Sequence, residues 1–401
     1  MSSSGIGPAS PSTSLRRSLG AWSLLLYGLA VIVGAGIYVA TATVIDRAGD
    51  AAPLSFLVAG VVAALTGLCY AELASRFPEA SGAAAYVKEA FGSDRLALLT
   101  ALAMTLAVAI SAASIASGAV HYLSMLFALP AVALTALMVV TFTLIAMLGV
   151  RESAGLSVAI GVVEIFGVLA ATWAGVAAAP DLDVTGMWPV TLPGWGGVLA
   201  GAFIAFFAFI GFESLANMAE EARNPHRTIP LAILGAVVVS SLLYVALAAA
   251  VVLSGRESSS PLVGQFEGRS ATLFAALGSM AIANGVLVEI MMLARLFYGM
   301  ANRRQLPAML ARVNARTRTP VVATGLAGVI VLGASLLMPF ERLLGLANAL
   351  TLAIFMLVDV ALWRLQSRRP AAPGVFAVPR WIPPIAAASA TALIVVEFLI
   401  Q

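Results

Sequence analysis

Tyr27-Gly28-Leu29-Ala30-Val31-Ile32-Val33-Gly34-Ala35-Gly36-Ile37-Tyr38-Val39 is apolar enough to belong to a bilayer-crossing helix, yet it carries Gly-Ala-Gly near its midpoint. Glycine inside a helix costs about 1 kcal/mol relative to alanine. Within lipid, an unwound backbone is tolerated only where it lines a cavity or is buried in protein. A break at this depth bares peptide N–H groups and opens a new helix N-terminus, where an anionic group such as a carboxylate is favoured. Close packing of a neighbouring helix on small residues is the other reading of the same glycines.

Composition sets the solvent. Of 401 residues, 61% are hydrophobic and 10% charged, and the mean hydropathy is +1.01. A soluble domain carries about 25% charged residues, so the excess apolar surface requires lipid. The net charge of +3 does not signal nucleic-acid binding, because the basic residues lie between apolar runs. Cys69 is the only cysteine and the only histidines, His121 and His226, are far apart, which leaves no metal centre, no resident cofactor and no internal disulfide to expect. There is no Cys/His pair, His-Glu-x-x-His or Gly-x-Ser-x-Gly, and so no sign of an enzyme.

A crossing helix needs about 20 apolar residues. Windows of that size predict eleven spans, at 21–45, 52–74, 95–120, 129–149, 154–178, 195–216, 230–254, 271–299, 320–338, 343–363 and 381–400. Residues 1–20, rich in Ser, Pro and Gly, are expected to form a disordered N-terminal segment. With that segment in the cytoplasm, the outer loops hold only Arg47, Arg256, Arg269 and Arg342, and nearly all other basic residues fall inside. That bias is the positive-inside pattern of a multi-pass protein of the cell's inner membrane, and it places Gln401 outside. The basic inner loop 302–320 reads as an orientation signal, with anionic-lipid contact as an alternative.

The sixth span repeats the anomaly of the first. In Phe203-Ile204-Ala205-Phe206-Phe207-Ala208-Phe209-Ile210-Gly211-Phe212-Glu213-Ser214 a glycine and a carboxylate interrupt an apolar run. The sixth span lies five after the first, and an odd number of crossings inverts the second half relative to the first. Broken helices at matching places in inverted halves are the best sequence pointer to a transporter site.

The chain resembles the amino acid–polyamine–organocation (APC) superfamily of secondary transporters. The resemblance rests on Gly34-Ala35-Gly36-Ile37-Tyr38, on Tyr70-Ala71-Glu72-Leu73-Ala74-Ser75-Arg76-Phe77-Pro78-Glu79-Ala80-Ser81-Gly82, on Phe207 to Glu213 with Glu220-Glu221-Ala222-Arg223-Asn224-Pro225, and on Ala294-Arg295-Leu296-Phe297-Tyr298-Gly299 with Arg316-Thr317-Arg318-Thr319-Pro320. It implies an all-α leucine-transporter-type fold with a five-plus-five inverted repeat. Residues 21–178 would form the first repeat, 195–363 the second, and 381–401 an eleventh span outside both; many relatives have twelve. The segment from Glu220 to Pro230 is expected to break the inner half of span six.

The resemblance also implies roles. Backbone N–H groups at Gly34, Ala35, Gly36 and Ile37 would take a substrate carboxylate. Carbonyls from Phe207, Ala208 and Ile210 would take its amino group, and Phe207 would stand over it as an aromatic gate. Ile32 and Ser111, with Val108, Ala112 and Ser114, would line the pocket. No acidic residue is evidently placed to meet a cationic side chain, so neutral amino acids are favoured over polyamines or arginine-like substrates.

Three carboxylates, Glu164, Glu213 and Glu289, lie deep in apolar spans, where a charged acid costs about 2.5–3.5 kcal/mol. Such groups can take and release protons. Glu213 matches an acid that in relatives is linked to proton-dependent gating; a hydrogen bond to span-one carbonyls is its alternative role. Glu164 stands where several proton-coupled relatives carry a lysine, which makes it a second proton-carrier candidate. Glu289 is the third, with pairing to Arg295 or to a neighbouring polar group as the alternative. Residues 285–296 contain no Ser or Thr, which counts against a sodium site of the family type. The expectation is therefore a proton-coupled amino acid transporter among membrane lipids, with a binding-only sensor as the alternative.

Overall fold

A span interrupted at both expected places is the organising feature of the computed structural model, which describes residues 19–78, 82–148, 154–189, 191–219, 222–256 and 260–400. The first span is α1 (Ala21–Ile32) followed by α2 (Ala35–Ala48). The chain continues through α3 (Ala52–Arg76), the short α4 (Ala83–Phe91), α5 (Asp94–Gly118), α6 (Val120–Leu123), α7 (Ala131–Leu148) and α8 (Ala154–Ala178). The sixth span is α9 (Leu192–Ala205), a 3₁₀ turn at Phe206–Phe209, and α10 (Glu213–Asn217). Then follow α11 (Pro225–Leu253), α12 (Pro261–Gly264), α13 (Gly268–Asn302), α14 (Val321–Leu337), α15 (Phe340–Arg368) and α16 (Ile382–Ile400). Among the described residues there is no strand, only an isolated parallel bridge between Leu19 and Ala222.

Local chemistry explains most ends. The Ser93 hydroxyl accepts from the Leu96 N–H at 3.2 Å to cap α5. Thr191 caps α9 through the Gly194 N–H at 3.3 Å. Prolines stand in the first turns of α3, α9, α11 and α12, where no donor is lost. The last helix of span six, α10, ends at Asn217, ahead of the Glu220–Pro230 segment. Pro230 lies inside α11, whose first turn forms around Pro225, so span seven begins five residues before the predicted 230. Asn224 supplies the carbonyl for the Thr228 N–H at 2.8 Å and lets the helix start early. Glu220 and Glu221 of that motif lie outside the described residues, as do Glu79-Ala80-Ser81 and residues 149–153. Leu19 and Gly20, expected within the disordered segment, are ordered: the Leu19 carbonyl accepts from the Arg223 N–H at 3.0 Å.

Helix neighbours exchange when five is added to each span number. Span one packs on span seven (α1 on α11), and span six on span two (α9 on α3). Span three packs on span nine (α5 on α14), and span eight on span four (α13 on α7). Spans two and seven, and spans four and nine, pair with their own counterparts. Two like halves related by a two-fold axis give this pattern. The periphery is apolar: Leu137, Phe166, Trp173, Leu242, Val329 and Phe398 are exposed on α7, α8, α11, α14 and α16, as a lipid-facing surface must be. The aromatic centre is inside, where the Tyr70 ring meets Phe212 at 5.8 Å and Phe355 at 5.4 Å.

Polar groups knot one end of α3 to α15. Glu72, fully buried, pairs with Arg76 and accepts from Gln366 Nε2 at 2.9 Å and the Val378 N–H at 2.7 Å. Removing one member of a buried charged network costs about 3–5 kcal/mol. Glu72→Ala should therefore lower the thermal unfolding midpoint of the detergent-solubilised protein clearly, whereas Glu89→Ala, on the half-exposed α4 surface, should leave it within a degree or two.

Candidate functional site

The two breaks face each other across a few ångströms. In span one, Val33 leaves helical geometry at ψ 32°. Gly34 turns to φ −82°, ψ −150°, and α2 restarts at Ala35 with no side chain capping its first N–H groups. These donors, at the positive end of a helix dipole, open onto a cavity of about 160 Å³ lined by Gly34, Ala35 and Gly36. In span six, Ile210 is extended at ψ 133° and Gly211 takes φ +127°, a conformation reserved for glycine. A Cβ at Gly36 would stand 3.0 Å from Ala208 Cα and 3.1 Å from the Phe207 carbonyl oxygen, so the second glycine of the Gly-Ala-Gly is what lets the breaks touch.

A single hydroxyl joins them. Tyr244 of α11 lies 2.8 Å from the Ile32 carbonyl and 3.0 Å from that of Ala208, and can donate to either. Both carbonyls belong to turns that the helices no longer satisfy. Tyr244 was not among the residues that the sequence singles out; nothing in its surroundings on span seven marks it.

Most of the expected residues converge on the cavity. Ile32, Gly34, Ala35, Gly36, Ser111, Phe207 and Ile210 line it, as do Glu164, Glu213 and Glu289. Ile37 and Ala208 do not. Ile37 is fully buried behind the first turn of α2, and the Ala208 carbonyl is turned to Tyr244. The Phe207 carbonyl accepts from the Ile210 N–H at 3.3 Å. Of the five phenylalanines between 203 and 212, all are buried and only Phe207 reaches the cavity. Val108 lines a side chamber with Ser111, while Ala112 and Ser114 stand behind the wall. Tyr27, Val31, Gly211, Ser214, Asn284 and Gly285 also line it. Asn284 and Gly285, a polar-glycine pair in mid-span eight, are the signal by which that wall is legible.

The three acids differ in their bonds. Glu213 Oε2 accepts from the Gly211 N–H at 2.8 Å, capping the break of its own span rather than meeting span-one carbonyls. Glu289 Oε1 accepts from the Ser111 hydroxyl at 3.0 Å. Arg295 is exposed on the far side of α13, so of the two alternative partners it is a neighbouring polar group, Ser111, and not Arg295 that meets Glu289. Glu164 is 3% exposed; one oxygen stands beside Gly34 and the other has no partner among the described residues.

The cavity runs along the first half of span one, past Tyr27 and Ala30, and the second half of span six, past Ser214. The opposite side is stoppered. The Tyr38 ring lies 6.2 Å from Tyr122 and 6.4 Å from Phe274. Its hydroxyl donates to the Glu164 carbonyl at 2.9 Å, and Tyr122 donates to the Tyr38 carbonyl at 3.1 Å.

Overpacking a tight contact costs about 1–3 kcal/mol. Gly36→Val should weaken ligand binding by about tenfold or more, read as loss of ligand-induced thermal stabilisation. Tyr244→Phe, which leaves two buried carbonyls without a donor, should cost about 1–3 kcal/mol of stability.

A family profile described as "Amino acid permease" matches residues 19–401. A methylthioribose transporter of Bacillus subtilis is 30% identical, with 92% of this chain and 86% of that protein covered. A branched-chain amino acid permease, BcaP, of the same organism is 29% identical over 93% of this chain and 86% of its own length. A chloroplastic cationic amino acid transporter of Arabidopsis thaliana is 30% identical over 75% of this chain, which spans 58% of that relative's length. With nine helices long and apolar enough to cross a membrane among the described residues, two shorter apolar helices, paired helix breaks and a match over nearly its whole length, this multi-pass membrane chain belongs to the amino acid permease family, whose members are transporters rather than enzymes.

Proposed function

We propose that the chain moves amino acids across the cytoplasmic membrane by alternating access, with neutral L-amino acids favoured and proton movement coupled to transport. One observation carries the reading: an uncapped helix N-terminus at Gly34–Gly36 opens onto a closed-sided cavity directly opposite the break of span six. That terminus suits a carboxylate. Backbone groups near Phe207 and Ile210, with the carboxyl groups of Glu213 and Glu289, suit an ammonium group. The volume, about 160 Å³, compares with the roughly 150 Å³ that admits a benzene-sized ligand elsewhere.

The side chamber supports the neutral substrate. It holds about 50 Å³ between Met104, Ala107, Val108, Ile354 and Phe355, with Thr351 as its polar member. A short apolar side chain matches that wall. The relatives named for branched-chain amino acids and for cationic amino acids mark two directions of specificity. Three acids around one cavity favour the second, cationic reading, and neutralised acids favour the first. A sensor would share the binding site and lack flux.

Orientation follows the arginines, with Leu19 inside; the cavity then faces the cytoplasm and Tyr38–Tyr122–Phe274 closes the outer side. The halves 21–178 and 195–363 act as the inverted repeats, with α16 as an accessory span packed on α3, α9 and α15.

A panel of amino acids and amines tested for thermal stabilisation of the purified protein should single out small neutral amino acids, and stabilisation by lysine or arginine alone would transfer the assignment to cationic ones. In liposomes, an inward-acid gradient of one unit should drive accumulation of up to about tenfold for one proton per substrate. Glu213→Gln should abolish the pH dependence of uptake; an unchanged profile would remove Glu213 from coupling.

A further inference from the structure

Asp359 sits on α15, away from the cavity, with none of its surface exposed. Hydropathy places it near the end of span ten, but α15 runs on to Arg368 and carries it into the interior. Its Oδ2 accepts from the Thr66 hydroxyl of α3 at 3.1 Å. Cys69, also fully buried, lies nearly one turn further along the same face of α3. Oδ1 has no N–H or O–H partner among the described residues.

Among the described residues no cation faces this carboxyl. On α3 the ionisable neighbours are Cys69, Tyr70 and then Glu72 with Arg76, which are paired to each other. On α4, Lys88 pairs with Asp94 of α5 at 2.7 Å and Glu89 with Arg369 at 3.9 Å, while Tyr86 packs on Tyr70. Arg95 of α5 is exposed at that helix's start. The sole acid of α16, Glu397, pairs with Arg47, Glu213 of α10 bonds Gly211, and α9 and α14 carry no ionisable residue. Arg364, on α15 itself, donates to the Ala90 carbonyl at 3.1 Å and lies over the Phe91 ring. A carboxylate buried without a counter-ion is costly, and a proton removes the charge.

The surrounding seam is ordered. Thr66–Asp359 is followed by Glu72–Gln366 at 2.9 Å and by Arg76 to the Arg369 carbonyl at 2.6 Å, three rungs in near-constant register between α3 and α15. Tyr70, between the first two rungs, touches Phe355 and Phe212, and Phe212 leads directly into Glu213.

We propose that Asp359, with Thr66 and Cys69, is a proton-binding site separate from the substrate cavity, buried in the seam between α3 and α15. Binding forms one O–H bond on the carboxylate with a proton taken from water, and release returns it to water; no other bond changes. Its part in transport rests on the proton-coupled reading above, but its occupancy does not.

Infrared difference spectra of the full chain in lipid nanodiscs, recorded across a pH titration, read the carbonyl stretch of protonated carboxyl groups directly. A pH-dependent band should be present in the wild type, and one component of it should persist in Glu164→Gln, Glu213→Gln and Glu289→Gln and be lost in Asp359→Asn. A folded Asp359→Asn protein with the full wild-type band would overturn the site. Should that variant not fold, Thr66→Val keeps the carboxyl and removes its hydroxyl donor; it should move the midpoint of the band, and an unmoved midpoint would overturn the site equally. In liposomes, Asp359→Asn should lose the accumulation of up to about tenfold driven by one pH unit. Wild-type protein that ignores the gradient would refute proton coupling, while the infrared band would still decide whether Asp359 holds the proton.

Discussion

Peptide groups inside a bilayer must be satisfied by the protein itself, and the whole arrangement here follows from where two helices fail to do so. Span one releases its backbone at Val33–Gly34 and span six at Ile210–Gly211. Each break would be prohibitive facing lipid. Each is tolerated because it faces the other, with the Tyr244 hydroxyl held between the Ile32 and Ala208 carbonyls. The rest of the bundle serves to bury that meeting point: α3 and α11 flank it, α5 and α13 close the cavity, and the aromatic cluster around Tyr70 fixes α10.

The same constraint sorts polar from apolar throughout the chain. Charged groups in the interior are few, and most are engaged. Glu72 has a cation and two N–H or amide donors. Glu289 and Asp359 each have one hydroxyl, on one oxygen alone. Glu164, beside the uncapped start of α2, has an oxygen with no partner among the described residues.

What the amino-acid order discloses is the set of local violations. Gly-Ala-Gly inside Tyr27–Val39, and Gly-Phe-Glu inside an apolar run, announce themselves because a membrane helix has no local use for them. The acids Glu164, Glu213 and Glu289 stand out for the same reason, and the structure brings all three to one cavity. Partners supplied by distant spans are not legible. Tyr244 is an ordinary aromatic residue until α11 crosses both breaks. Ala208 looks like a ligand-facing carbonyl until that hydroxyl claims it. Ile37 keeps its N–H among the uncapped first donors of α2, while its side chain is buried away from the cavity. The Glu220–Pro230 segment reads as a break, but Asn224 and Pro225 start α11 within it and Pro230 lies inside that helix. Asp359 escapes because the apolar run ends soon after it, while α15 continues.

The parallel bridge between Leu19 and Ala222 joins the chain just ahead of α1 to the connection between α10 and α11. The chain entering the first interrupted span is thereby stitched to the chain entering α11. The stitch is made of main-chain groups, so no side-chain replacement removes it, and a displacement of α1 at this end is transmitted to the start of α11.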